Sequence, residues 1–238
     1  MTKNILAVLL GLAACGDDGG SGGVDSGSNV DAAPIPAMVT VRGVASTVGL
    51  GGSTPLSGVK IEAFREGETT AVATAMSGAD GTYALMIPTG GVALDGYLKG
   101  TQSGKKDNYL YPPKPITADI PSAPVLMVTQ GIFDTLGTLA QENQDPAKAF
   151  IGVQVFTADN MDVAGAVVTS SPAGTVKYNG SNGRPTPDGT MTEVDGIAYI
   201  FNVNPGIVTI SATGGGLTFF SHPVNARADQ LTTTLIQP

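Results

Sequence analysis

At 238 residues the chain has room for one large domain or two of ordinary size. Its formal net charge is −8 and only 13% of its residues are charged, so an acidic surface sets it against phosphate backbones and nucleic acid is not an expected partner. A single cysteine leaves no internal disulfide, and each domain has to fold on its apolar core alone.

The chain opens Met1-Thr2-Lys3-Asn4 and continues from Ile5 to Ala14 without a charge. A positive residue before a short apolar stretch fits a secretory signal over residues 1–14; a bilayer span needs about 20 apolar residues. Leu12-Ala13-Ala14-Cys15 resembles the lipobox of bacterial lipoproteins. That resemblance implies that Cys15 becomes the new N-terminus, diacylglyceryl-modified on sulfur and seated in a lipid bilayer. Gly16, where an aspartate would retain the protein at the inner membrane by the enterobacterial rule, implies the outer membrane. Residues 15–36, "CGDDGGSGGVDSGSNVDAAPIP", then read as the lipidated cysteine and a Gly/Asp linker. Gly19-Gly20-Ser21-Gly22-Gly23 matches the spacing of a nucleophile elbow but lacks the strand and helix that motif needs.

From residue 37 the chain alternates by twos. Val39 and Val41 share one face; Val59, Ile61 and Ala63 face away from Lys60 and Glu62; Asp80-Gly81 supplies a tight turn. Over 129–147 the period changes, and Ile132, Phe133, Leu136, Leu139 and Ala140 predict a short amphipathic helix that Gly137 weakens and Asp145-Pro146 ends. The segment 148–238 then repeats the first series, with Gly165 in the place of Gly58 and Asp195 in that of Asp80. Chance likeness between Gly-rich β segments is the competing account. The expected fold is all-β: two antiparallel β-sandwich domains, prealbumin- or Ig-like, over 37–128 and 148–238, joined by the helical connector.

Gly58-Val59, Asp80-Gly81-Thr82-Tyr83, Pro88-Thr89-Gly90 and Gly96-Tyr97 together resemble the carboxypeptidase regulatory-like domain, a prealbumin-like seven-stranded sandwich. The resemblance implies a fold and an accessory role, not an activity. A single histidine, His222, leaves no two-histidine zinc site, so no carboxypeptidase catalytic domain accompanies it. No metal or cofactor is expected. His222 satisfies a Ser–His–Asp triad by count alone, yet it precedes Pro223 where a strand gives way to a turn. Paired carboxylates would suffice for glycoside hydrolysis, but Glu142, Asp145, Glu193 and Asp195 fall in turns, loops or helix ends, and no pattern sets two across a cleft. Asp159, Asn160 and Asp162 offer oxygens for calcium, although a plain hairpin turn accounts for them better.

The most unusual patch is "GYLKGTQSGKKDNYLYPPKPITAD". Tyr97, Tyr109 and Tyr111, on what reads as a proline-stiffened loop with Lys105 and Lys106, suit recognition of a sugar or a peptide. The alternative is that these tyrosines cover one end of a sandwich. Tyr178 and Arg184 are further contact candidates in a long loop. An isopeptide bond through Lys60 is opposed by its outward alternation. The chain therefore reads as a membrane-anchored envelope lipoprotein with non-catalytic binding or spacer domains, its partners polysaccharide, peptidoglycan or an envelope protein. A hydrolase using carboxylates in an interdomain groove, or a regulatory subunit of a separate envelope enzyme, is the alternative.

Overall fold

A computed structural model describes residues 33–238, so the leader, Cys15 and the linker as far as residue 32 lie outside the described residues. In the first half the alternating runs form β1 (Met38–Gly49), β2 (Gly52–Pro55), β3 (Lys60–Arg65), β4 (Ala73–Met76), β5 (Thr82–Pro88), β6 (Gly96–Thr101), β7 (Asn108–Tyr111) and β8 (Val125–Met127). The helix α1 (Gln130–Ala140) follows. The second half contributes β9 (Ala149–Val155), β10 (Ala166–Ser171), β11 (Thr175–Asn179), β12 (Pro185–Thr186), β13 (Ile197–Val203), β14 (Gly206–Gly214), β15 (Leu217–Thr218), β16 (His222–Ala226) and β17 (Leu231–Ile236). The fold is all-β and sandwich-like, as the alternation predicts.

Its backbone is a nine-stranded sheet ordered β12-β11-β13-β9-β17-β7-β6-β3-β4, which runs without a break through both halves. The joint is β17, which pairs in parallel with β7 on one side and β9 on the other. Together with the parallel β1–β8 pair, this corrects the expectation of wholly antiparallel sheets. β17 lies far along the chain from both β7 and β9, so the long crossover that a parallel pair requires is available.

Side-chain alternation divides the two faces of this sheet. Leu98 and Leu110 point into a core roofed by β1, β5 and β8, with Val39, Leu85 and Val125. Their neighbours Tyr97, Tyr109 and Tyr111 point the other way, into the core that holds Ile151 and Val153 beneath Val208 and Ile210 of β14. The two roofing sheets therefore cover opposite faces of the shared sheet.

The hydrogen bonds show that both halves follow one plan. Ser77 Oγ accepts from Val59 N (2.9 Å) and donates to Leu56 O (2.7 Å); Thr192 Oγ1 accepts from Ala166 N (2.9 Å) and donates to Val163 O (2.6 Å). Gly58 N bonds Ser77 O as Gly165 N bonds Thr192 O, and Ala45 N bonds Gly81 O as Val155 N bonds Gly196 O. These matches equate β1 with β9, β3 with β10, β5 with β13, β6 with β14, β7 with β16 and β8 with β17, and each equated pair keeps its neighbours. The shared sheet is thus one layer from each half, joined edge to edge.

Thr129 caps α1 by accepting from Ile132 N at 3.3 Å, and Phe133, Leu136, Gly137 and Ala140 form its buried stripe. Phe133 meets Phe150 edge-on, 5.0 Å between ring centroids, in a core that also takes Val48 and Leu126 from the first half. The helix stops at Ala140, short of Asp145-Pro146, because Gln141 turns left-handed (φ 52°) and its N–H bonds back to Thr138 O. Gly137 is not a weakness there: a Cβ on it would lie 2.6 Å from Glu142 O.

Candidate functional site

Where β7 ends at Tyr111, the chain bends at Pro113 and Lys114, flanked by Pro112 and Pro115, before Ile116 pairs with Leu94. Across from this segment runs β16, an edge strand paired only with β14. Between them lies a groove of about 300 Å³, with Glu66 and Asp95 beside it and Ser221, His222, Pro223 and Asn225 along its far wall. Glu66 and Asp95 are adjacent because Glu66 N bonds Asp95 O at 3.0 Å. Both side chains are exposed, and among the described residues neither enters an ion pair.

Burial pulls the His222 imidazole down to about 4, with the nearby charge of Asp95 opposing the shift, so the ring is neutral at pH 7. Its Nε2 is buried and has no hydrogen-bond partner among the described residues. Asn225 lines the groove: its side-chain amide donates to Glu66 Oε1 at 3.4 Å, and its main-chain carbonyl accepts from Arg227 Nη1 (2.7 Å) and Tyr111 OH (3.4 Å). Burial pushes the Tyr111 phenol up to about 12, although Arg227 draws it down.

Arg227 does not line the groove but bonds two residues that do, Tyr111 and Asn225. Its guanidinium lies 3.8 Å from the Tyr109 ring centroid and 4.7 Å from that of Tyr97. Tyr97 in turn stacks on Phe64 at 5.3 Å and meets Tyr111 at 5.2 Å. Tyr97, Tyr109 and Tyr111 are thus strand residues of β6 and β7 with rings at most 8% exposed, not stacking faces on a projecting loop. Lys105 and Lys106 lie apart from them, in the hairpin at the other end of β6 and β7. Lys105 donates to Thr47 Oγ1 at 2.7 Å, while Lys106 pairs with Asp229 and sits over the Phe133 ring. The length of the β6–β7 hairpin separates the two sets, which adjacency in sequence does not show.

The other candidates are dispersed. Glu142 accepts from Asn202 Nδ2, Asp145 from Ala147 N, and buried Asp195 from Asn179 Nδ2 and Ile197 N; none lines the groove. Asn160 and Asp162 flank a tight turn and accept from Gln237 and Gln154, and among the described residues no group of three ligating side chains is suited to a metal. Tyr178 is buried with its OH on Val168 N, Arg184 reaches Leu50 O, and Lys60 faces solvent beside Glu62. Glu66, Asp95 and Arg227 carry no signal in the sequence, because Glu66 and Asn225, 159 positions apart, meet only where the roofing sheet of β14 and β16 packs on the shared one. Carboxylate and amide acceptors between proline walls suit a small ligand with several hydroxyl or amino groups.

No protein-family model matches the chain, and no curated protein matches it. Solved structures with some likeness include the TIE protein of Bacillus anthracis, at 14% identity and a TM-score of 0.26, covering 84% of this chain and 34% of that one. This chain thus spans about a third of that protein's length. The minor pilin GBS52 of Streptococcus agalactiae matches at 9% identity and a TM-score of 0.28, over 84% of this chain and 94% of that one. The shaft pilin SpaA of Lactobacillus rhamnosus GG matches at 13% identity and a TM-score of 0.25, over 84% and 98%.

Proposed function

We propose that this chain is a non-catalytic protein of a bacterial envelope, held to a membrane by acylated Cys15, whose β body serves as a stiff spacer that presents a binding surface. The observation that carries this reading is the position of β17 between β7 and β9, which ties two sandwich layers into one sheet and leaves no hinge at the joint. A spacer needs that stiffness, because a hinged pair of domains would not hold a surface at a set distance. The carboxypeptidase regulatory-like resemblance supports an accessory role of the same kind. Two measurements test the proposal. Cells expressing the chain are fed labelled palmitate, and the label is expected on the wild type and absent from Cys15→Ala. Calorimetry is expected to give one cooperative transition; two separate transitions, or an unlabelled wild type, would overturn it.

The groove favours a second reading, an alternative to the first, in which this part of the surface binds a glycan. Vicinal sugar hydroxyls donate in pairs to carboxylates such as Glu66 and Asp95, and the proline walls match the apolar faces of a pyranose. Co-sedimentation with peptidoglycan and insoluble polysaccharides is expected to be lost in Glu66→Gln/Asp95→Asn. Equal pelleting of wild type and variant, or none by either, rejects the groove as a glycan site.

A further inference from the structure

Chain direction orders the molecule from end to end. β7, β9 and β17 run parallel and finish at one end, where β3 also finishes and β6 and β13 begin. The described chain enters at that same end: Ala37 O accepts from Thr89 N and Gly90 N, at 3.0 and 3.1 Å, just before β1 starts.

Exposed apolar side chains gather there. Val194 is 79% exposed and Phe220 67%, and Met161, Val92, Met38 and Leu217 join them. Hydrogen bonds knit these turns together. Phe220 N bonds Gln237 O at 3.1 Å, Gln237 Nε2 bonds Asn160 Oδ1 at 2.9 Å, and the Glu193–Gly196 turn that lifts Val194 closes beside Val155. At the opposite end Leu50 and Met76 are also bare, as is Ile207 where β14 begins. Scattered surface apolar residues need no explanation, but a set gathered on the turns of one end does.

Seventeen residues separate Cys15 from Ala33, a reach of at most about 60 Å when fully drawn out. An anchored Cys15 therefore keeps this end of the body within about 60 Å of the bilayer. We infer that the turns bearing Val194, Phe220 and Met161 dock into the bilayer interface, so that the body sits with this end down and the strands of the shared sheet stand on the membrane. The carboxylates of Asp95, Asp159 and Glu193 share the end with Lys114, whose ammonium lies 5.7 Å from the Phe220 ring centroid, and the excess of acids directs the attraction to the acyl boundary and not to anionic headgroups. This inference rests on the anchored reading of Cys15, and its test supplies the anchor independently.

Cys15 is the sole cysteine and the chain has no tryptophan. The full chain is coupled through Cys15 to a maleimide-headed phospholipid in phosphatidylcholine vesicles, with and without brominated acyl chains. It carries either Phe220→Trp or Met76→Trp as its only tryptophan, excited at wavelengths that the tyrosines do not absorb. Emission from position 220 is expected to fall about twofold or more with brominated lipid, and that from position 76 to stay unchanged. Adding Val194→Asp to Phe220→Trp is expected to restore most of the emission, as is replacing part of the vesicle lipid with phosphatidylglycerol. Equal quenching at both positions, no quenching at 220, or quenching that ignores Val194→Asp overturns the inference. Palmitate labelling of cells answers separately whether the natural anchor exists.

Discussion

Ser77 and Thr192 occupy one position in two copies of a single plan: each buried hydroxyl bridges the N–H that follows a glycine to the C=O two residues before it. Each links the strand it precedes to the turn before the matching strand. Removing either hydroxyl strands two buried backbone groups, at a cost of about 1–3 kcal/mol. Ser77→Ala and Thr192→Val are each expected to lower the denaturant midpoint by that amount, and Thr192→Ser to leave it nearly unchanged. Urea titrations of the three variants check this.

His222 sets a pH dependence. Its folded value, about 4, lies below the ordinary 6.5, so between those pH values the unfolded chain binds a proton that the folded one does not. Stability is then full above pH 6.5 and falls as the pH drops toward 4. The loss between pH 7 and pH 4.5 is expected to be about 2–3 kcal/mol beyond that of His222→Gln, measured by denaturant unfolding at the two pH values. A parallel fall in wild type and variant would assign the acid sensitivity elsewhere.

Gly137→Ala separates helix propensity from packing. In an isolated helix the change stabilises by roughly 1 kcal/mol. Here the new methyl meets Glu142 O, so the variant is expected to melt below the wild type, with a net loss of about 1–3 kcal/mol.

Arg227→Ala removes the cation from above Tyr109 and Tyr97 and the donor from Asn225 O. A loss of about 1–3 kcal/mol is expected, with Arg227→Lys recovering little, because an ammonium cannot both stack and reach the carbonyl. Near-ultraviolet circular dichroism, dominated by tyrosine in a chain without tryptophan, is expected to change in both variants.

Local features were legible before any coordinates. Strand faces such as Ile61 and Ala63 against Lys60 and Glu62, the helical stripe of Phe133 and Leu136, and the match of Gly58 with Gly165 all follow from short-range periodicity and turn chemistry. The shared sheet was not legible, because no local pattern records which edge β17 takes. That one pairing decides the site. It turns Tyr97, Tyr109 and Tyr111 inward under Arg227, and brings Asn225 to Glu66 across 159 positions. Residues that look like a binding loop when read along the chain are packing, and the groove is made by residues that look ordinary.

The place of β17 also has a consequence in time. It is the last of the described strands to be synthesised, yet it fills the middle of the widest sheet. Until it emerges, β7 and β9 each carry an unsatisfied edge, and the two layers have nothing to hold them in line. The nascent chain therefore passes through a stage at which most of its strands exist but two bare edges invite pairing with a neighbour. Chains cut short before residue 231 would be held at that stage permanently.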